Sequence, residues 1–455
     1  MPFTAIDPAT GRRIRDYPEM SSGDYARAVA GCQKAFLAWR DTPMEERSRL
    51  VGSLAAILRE RREEFAELMT REMGKPVREA RAEIEKCAMV CEHYAEHAPG
   101  YLAPQPVETE ARQSFITFQP IGIVFAIMPW NYPFWQVFRF AAPNLMAGNG
   151  TLLKHAPNVP GCGLAIEGIF REAGFPEGLF RALLIDHDRA AELIADPRVR
   201  AVTLTGSTVA GKTVAATAAA HVKKSVLELG GNDPCIVLED ADLELATRLC
   251  VTSRLINAGQ SCIAAKRCIV VEPVLAELRE RVVEAMATAT FGDPFDEANR
   301  IGPLAREDLR DRLHDQVQGS VEAGASLLVG GHVPDRPGWF YPPTVLADVG
   351  PGMPAYEEEL FGPVVSIVAV ADEREAIAVA NDTRYGLGAS VFTRDLERGR
   401  RIAAEEIDAG NCFVNAFVRS DPQLPFGGVK ESGYGRELSL FGIHEFVNVK
   451  SVWVG

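Results

Sequence analysis

From Tyr25 to about His97 apolar residues return every three or four positions among Arg and Glu, as in RSRLVGSLAAILRERREEFAELMTREMGK. This spacing predicts two or more amphipathic helices. The segment Glu110 to Gln119, EARQSFITFQ, is partly alternating and reads as extended. From Ile121 the pattern changes to short apolar runs, each followed by turn residues and a helix-like segment. IGIVFAIMPWN, GNGTLLKHAP, GLFRALLI, VRAVTLTGS and KKSVLELGGNDPCIVL are five such runs. Helical segments between most of them predict crossovers and a largely parallel sheet covered on both faces. A second set, CIAAKRCIVVE, SLLVGG, FGPVVSIVAV, LGASVFT and GNCFVNA with intervening helices, is enough for a second α/β domain. The closing FVNVKSVWV reads as a strand, and unpaired it would expose an aggregation-prone edge. It and the strand near Phe115 either complete a partner subunit's sheet or pair within the chain; the sequence leaves both open.

With 455 residues, 47% hydrophobic and 24% charged, the chain has room for two or three ordinary globular domains. The formal net charge of -14 opposes nucleic acid and anionic membranes, and no basic patch offsets it. No apolar run approaches the roughly 18 residues of a membrane span, and MPFTAIDPATG lacks the features of a secretory signal. Nine scattered cysteines fit a reducing compartment better than a disulfide framework, so the expected location is cytoplasmic.

Two strings offer nucleotide chemistry or catalysis. GSTVAGKT, Gly206 to Thr213, matches the phosphate-loop pattern between a strand-like and a helix-like run. In a nucleotide hydrolase Lys212 would hold phosphates, Thr213 magnesium, and Asp240 would be the acidic partner. The same strand, Gly-Ser turn and helix N-terminus can bind a dinucleotide pyrophosphate, since its free amides need only an anion. Cys262, between Gly259-Gln260-Ser261 and Ala264, has small and polar neighbours that leave room for a ligand. A nucleophilic cysteine needs a base and donors for developing negative charge. Glu228, closing LELGG, supplies a carboxylate at a strand end, and Asn131, in PWN, an amide. Cys87, Cys91, His93 and His97 form displaced helical pairs rather than a turn-separated zinc motif, and no metal is expected.

PWNYPFW with Asn131, LLKHAP with Lys154, TGSTVAGK with Gly206 and Ser207, LELGGNDP with Glu228, GQSC with Cys262, EEELFGPV with Glu359 and Phe361, and PFGGVKESGYGRE resemble the aldehyde dehydrogenase superfamily. The blocks occur in that family's order along nearly the whole chain. The resemblance implies an α/β protein with a Rossmann-like dinucleotide-binding domain (1–107 and 121–229), a catalytic domain (230–430) and a small β extension for oligomerisation (108–120 and 431–455). Homodimers or homotetramers are the usual assemblies. It also implies that Cys262 attacks an aldehyde to give a thiohemiacetal, which becomes a thioester as hydride passes to a nicotinamide. Asn131 would hold the alkoxide and Glu228 would activate the hydrolytic water. Trp130, Lys154, Gly206, Ser207, Glu359 and Phe361 would bind the cofactor.

Family members selective for NAD often carry Glu three residues after the lysine; here that position is Pro157, so NADP or NAD is expected, with Lys154 and His155 as candidate phosphate contacts. Arg139 follows Asn131 by eight residues, which on a continuous helix puts both side chains on one side. Its block, and VRSDPQLPFGG with Ser420, resemble the succinate-semialdehyde branch, implying that Arg139 and Ser420 receive a substrate carboxylate. Glutarate semialdehyde would be the near alternative.

Overall fold

The computed structural model describes residues 2–455; Met1, which opens the segment assigned to the dinucleotide-binding domain, lies outside the described residues. A hairpin absent from the sequence reading comes first, β1 (Phe3–Asp7) with β2 (Arg12–Tyr17). The periodic stretch becomes α1 (Ser22–Trp39), α2 (Met44–Glu60), α3 (Arg62–Met73) and α4 (Val77–Tyr101). Ser21 fixes the start of α1, its Oγ accepting from the Asp24 amide. On α4 the buried stripe runs Ala80, Glu83, Cys87, Cys91, Tyr94, a helical spacing that includes one carboxylate. Two strands follow, β3 (Gln105–Pro106) and β4 (Gln113–Pro120).

Strands and helices then alternate through β5 (Ile123–Met128), α5 (Trp135–Met146), β6 (Gly150–His155), α6 (Pro160–Glu172), β7 (Phe180–Ala182), α7 (His187–Ala195), β8 (Val199–Thr205), α8 (Thr208–Ala220) and β9 (Lys224–Glu228). These five strands are parallel in the order β9-β8-β5-β6-β7. The order reverses between β8 and β5, and such a switch point opens a crevice at the strands' carboxyl ends.

The run KKSVLELGGNDPCIVL is two strands in different sheets. Leu229 to Asp233 carry the chain from β9 to β10 (Pro234–Val237), the first strand in chain order of the second sheet. That half continues with α9 (Leu243–Leu255), β11 (Arg267–Val271), α10 (Glu272–Ala287), α11 (Glu307–Glu322), β12 (Ser326–Val329), β13 (Thr344–Ala347), α12 (Pro354–Glu357), β14 (Val364–Val370), α13 (Glu373–Asn381), β15 (Gly388–Phe392), α14 (Leu396–Arg401) and β16 (Asn411–Val414). The sheet order is β12-β13-β14-β11-β10-β15-β16, with only β12 antiparallel to its neighbour. A short β17 (Gly433–Tyr434) then returns to the first sheet and pairs with β9. After α15 (Ser439–His444), β18 (Val447–Val454) pairs antiparallel with β4 along its whole length. The strand near Phe115 and the last strand therefore meet within one chain, in a sheet ordered β18-β4-β3 that leaves β18 at an edge.

Among the described residues no helix is long and apolar enough to cross a membrane. Seven cysteines are free, while Cys235 on β10 and Cys250 on α9 are joined by a single disulfide, which is a lone link and not a framework. Cys87 and Cys91 are buried in the core, and His93 stacks on His97 at 4.5 Å, so the two pairs do not converge as a zinc cluster.

Candidate active site

Cys262 stands in a loop held from several sides. Asn257, Ala258 and Gly259 all have left-handed backbone, and a Cβ at Gly259 would overlap the Gly362 carbonyl, so only glycine fits there. The strained turn is tied down by hydrogen bonds: the Asn257 amide donates to Glu79 Oε2 at 2.7 Å, and Asn257 Nδ2 donates to the Asn131 carbonyl at 2.8 Å. Buried Arg254 donates to the carbonyls of Gly259 and Leu360. Lys266 Nζ donates to the carbonyls of Ser261, Cys262 and Ala264. Burial pushes the Cys262 thiol up to about 12, with the positive charge of Lys266 the main opposing influence. At neutral pH the resting sulfur is a thiol.

The sulfur sits where two cavities meet. The first, about 320 Å³, is lined by Pro129, Trp130 and Asn131 after β5, Thr205 at the end of β8 with Gly206 and Ser207 after it, and Glu359 and Phe361 from the second half. It occupies the crevice at the switch point. Trp130 and Phe361 meet edge to face, 5.8 Å between centroids. Ser207 caps α8, its Oγ accepting from the Ala210 amide, and leaves the helix N-terminus facing this space. Glu359 accepts from the Gly231 amide at 3.1 Å and lies 3.6 Å from Lys266 Nζ.

The second cavity, about 300 Å³, is lined by Tyr132, Trp135, Ile263, Phe417, Val418 and Phe426, and its polar lining includes the carboxylates Glu79 and Glu83 as well as Lys86, Arg139, Arg419 and Ser420. Helix α5, buried on every side, forms one wall. It starts at Trp135, so Asn131 precedes it, and the continuous helix expected to align Asn131 with Arg139 is absent. Glu83 positions this start, accepting from the Phe134 and Trp135 amides at 2.9 Å while paired with Lys75.

Cys262 borders both cavities. Asn131, Trp130, Gly206, Ser207, Glu359 and Phe361 border the first, and Arg139 and Ser420 the second. Glu228 borders neither. Its carboxyl is 2% exposed, without a hydrogen-bond partner among the described residues, and its Oε1 lies 2.8 Å from where a Cβ at Gly427 would stand. Burial raises its pKa well above the usual range, against the charge of Arg139. Asn131 Nδ2 donates to the Gln260 carbonyl at 3.1 Å, while its Oδ1 is unpartnered. Lys154 lies at the end of β6, opposite Ile127, outside the first cavity's lining.

Arg139 is 2% exposed and ion-paired with Glu437, and its guanidinium stacks on Phe426 at 4.8 Å. The expectation of an unpaired arginine awaiting a carboxylate therefore meets a charge already compensated. His155 is also committed: Nε2 pairs with the Pro133 carbonyl at 2.8 Å, Nδ1 accepts from the Ala156 amide, and burial lowers its pKa to about 4. A neutral, fully bonded imidazole contributes no charge to a phosphate. Sequence reasoning missed Lys86, Glu437, Lys266 and Arg254. Glu83 alone left a signal, a carboxylate on the apolar stripe of α4.

The phosphate-loop alternative loses its parts. Lys212 pairs with Glu431 at 2.7 Å, the Thr213 hydroxyl donates to the Val209 carbonyl, and Asp240 accepts from Thr393 and the Arg394 and Asp395 amides. These groups serve helix and loop geometry in separate places.

The chain, with its cysteine between a dinucleotide-sized crevice and a largely apolar pocket, is similar along its whole length to known proteins. A Synechocystis protein described as a "Probable succinate-semialdehyde dehydrogenase [NADP(+)]" is 50% identical over all of both chains. A succinate semialdehyde dehydrogenase [NAD(P)+] of Escherichia coli is 48% identical over 99% of this chain and 97% of its own. The crystal structure of succinic semialdehyde dehydrogenase from Streptococcus pyogenes in complex with NADP+ superposes with a TM-score of 0.97, at 38% identity over 99% of each chain. The profile of the aldehyde dehydrogenase family matches residues 1–452, and with relatives this similar over their whole length the chain belongs to that family.

Proposed function

We propose that the chain oxidises succinate semialdehyde to succinate with NADP or NAD, through a thiohemiacetal and then a thioester on Cys262. The observation that carries this reading is the position of Cys262 at the junction of the two cavities, one suited to a dinucleotide and the other to a short acyl chain ending in an anion. The names of the full-length relatives support the same substrate and cofactors.

The residues of the first cavity fit a dinucleotide. The N-terminus of α8 with Gly206 and Ser207 suits the pyrophosphate, and Trp130 and Phe361 supply apolar faces for the nicotinamide end. Glu359 retains acceptor capacity for a ribose hydroxyl, and Lys154, without an ion-pair partner among the described residues, would serve the adenosine ribose. When bound, the nicotinamide accepts the hydride released from the aldehyde carbon. Pro157 is exposed and carries no charge to repel a 2′-phosphate, which favours tolerance of NADP.

Cys262 Sγ attacks the aldehyde carbon, and the resulting alkoxide receives hydrogen bonds from the Cys262 amide and Asn131 Nδ2. Asn131 exchanges a neutral carbonyl acceptor for an anionic one, so its bond strengthens as the charge develops. Glu228 is the base for the thiol and for the hydrolytic water, once its unpartnered side chain rotates from beside Gly427 toward the sulfur. Its raised pKa suits a base working near neutrality. Arg139 and Ser420 border the pocket that takes the substrate's far carboxylate.

The exposed edge of β18, with Val449 and Trp453 each more than half exposed, supports a homodimer or homotetramer in which a second copy covers it. The net charge of -14 supports an enzyme without nucleic-acid or anionic-membrane partners, and the seven free cysteines support a cytoplasmic location. The test is absorbance at 340 nm with succinate semialdehyde, glutarate semialdehyde or butanal, each with NADP and with NAD. Succinate semialdehyde is expected to give the highest kcat/KM, and absence of turnover with every pair would overturn the proposal.

A further inference from the structure

We propose that Asn257 is the positioning residue of the alkoxide donor: its side-chain amide clasps Asn131 across the boundary between the two halves of the chain, and Glu79 on α4 holds it there. The inference rests on the reading of Asn131 as that donor. Asn257 is fully buried, and its Nδ2 donates to the Asn131 carbonyl at 2.8 Å and to the Gln260 carbonyl at 3.1 Å. The Gln260 carbonyl also accepts from Asn131 Nδ2. One amide therefore ties Asn131 down at both ends, through its main chain and through the acceptor on which its own side chain rests. Asn131 follows β5 in the first sheet and Gln260 follows α9 in the second half, so no single helix or strand fixes one against the other.

The backbone points the same way. Asn257 has a left-handed φ of 55°, a conformation that glycine adopts freely and asparagine at some cost. Glycine would serve a turn that needed only this shape; what asparagine adds is the side chain. Turning the amide over would set its oxygen against two carbonyls, so the surroundings fix it as a donor. Glu79 Oε2 accepts from the Asn257 main-chain amide at 2.7 Å, a bond to a charged acceptor that helps a strained residue persist. The Gln260 main-chain amide and Nε2 both donate to the Asn257 carbonyl, which closes the loop just before Cys262. Asn257 itself lines neither cavity, so its influence on the reaction has to pass through Asn131. That influence matters because the donor must meet the oxygen where charge develops, and a misplacement of about 1 Å costs on the order of 10²-fold.

The test is a double-mutant cycle on kcat/KM for whichever aldehyde the wild-type enzyme turns over best. N131A is expected to lose roughly 10²–10³-fold, the cost of an oxyanion donor. N257G keeps the left-handed backbone and removes the side chain alone. It is expected to lose roughly 10- to 100-fold where Asn131 is present and less than about twofold in the N131A background. N257D, equal in shape but with no proton to donate near neutral pH, is expected to fall at least as far as N257G. A side chain that only stabilised the fold would cost the same factor in both backgrounds, so equal losses overturn the assignment, as does wild-type turnover in N257G. Wild-type turnover in N131A would instead overturn the reading of Asn131 as the donor.

Should N257G fail to fold, as judged by its thermal transition, E79M takes its place in the same cycle, since Glu79 is partly exposed. A loss of roughly tenfold confined to the background that keeps Asn131 supports the clasp. No loss, or the same loss in both backgrounds, counts against it.

Discussion

The Arg139–Glu437 pair permits a stability prediction with a distinct asymmetry. Both side chains are almost fully buried. Glu437→Gln leaves the guanidinium buried without a counter-charge, and arginine does not escape by losing its proton at any ordinary pH. Breaking such a pair from one side costs about 3–5 kcal/mol. For a chain of 455 residues, at about 2.1 cal/mol/K of unfolding entropy per residue, this is a fall in Tm of roughly 3–5 °C. The loss is expected to be nearly constant from pH 5 to pH 7.

Arg139→Leu strands the carboxyl instead, and Glu437, already raised by burial, can neutralise itself by binding a proton. Its folded pKa then lies above the unfolded value near 4.3, so the folded state holds a proton that the unfolded state releases. Stability is fully present below about pH 4 and declines as pH rises. The cost is at most about 4 kcal/mol at pH 7 and about 1 kcal/mol at pH 5. Calorimetry of both variants at the two pH values, with the doubly apolar R139M/E437L, reads the result. The double variant is expected to lose less than the sum of the two singles. Equal, pH-independent losses in both single variants, or strict additivity, would refute the assignment of this pair as a mutually neutralising unit.

Three further outcomes follow from the site. Glu228→Gln is expected to give a burst of reduced cofactor equal to the enzyme present and then a steady state slowed by roughly 10²–10⁴, seen by stopped flow at 340 nm; full steady-state turnover would remove Glu228 from deacylation. Lys266→Met removes the main charge favouring the Cys262 thiolate, so the rate of Cys262 alkylation by iodoacetamide at pH 8 should fall, with labelling followed by mass spectrometry. Pro157→Glu should lower the ratio of kcat/KM for NADP over NAD by at least about tenfold, since carboxylate and 2′-phosphate repel; no change would place the phosphate elsewhere.

Much of this was legible in the sequence because the informative residues are local. Cys262 and the Gly206-Ser207 turn lie among small or turn-forming neighbours, Asn131 and Glu359 stand in the short strings PWN and EEELFGPV, and all of them line one crevice. The alternating half read well for the same reason: β5 to β9 are apolar runs with clear punctuation. KKSVLELGGNDPCIVL misled because two strands abut across a five-residue link, and apolar periodicity carries no information about which sheet receives a strand. The residues of TVLA, between prolines and Asp348, were too short a run to mark β13. Lys86 was illegible because a lysine on an amphipathic helix ordinarily reads as solvated, and only tertiary packing puts Trp135 and Ser420 beside it. Glu437 was hidden likewise, its partner lying 298 residues earlier.

Because one thiol separates two openings, traffic through them need not share a doorway. A spent dinucleotide can leave by the crevice while an acyl group still fills the opposite chamber, and a fresh aldehyde can wait outside that chamber without obstructing the nucleotide's exit. Crowding one mouth therefore hinders the exchange of one ligand alone, although turnover as a whole falls with it because the two half-reactions run in series.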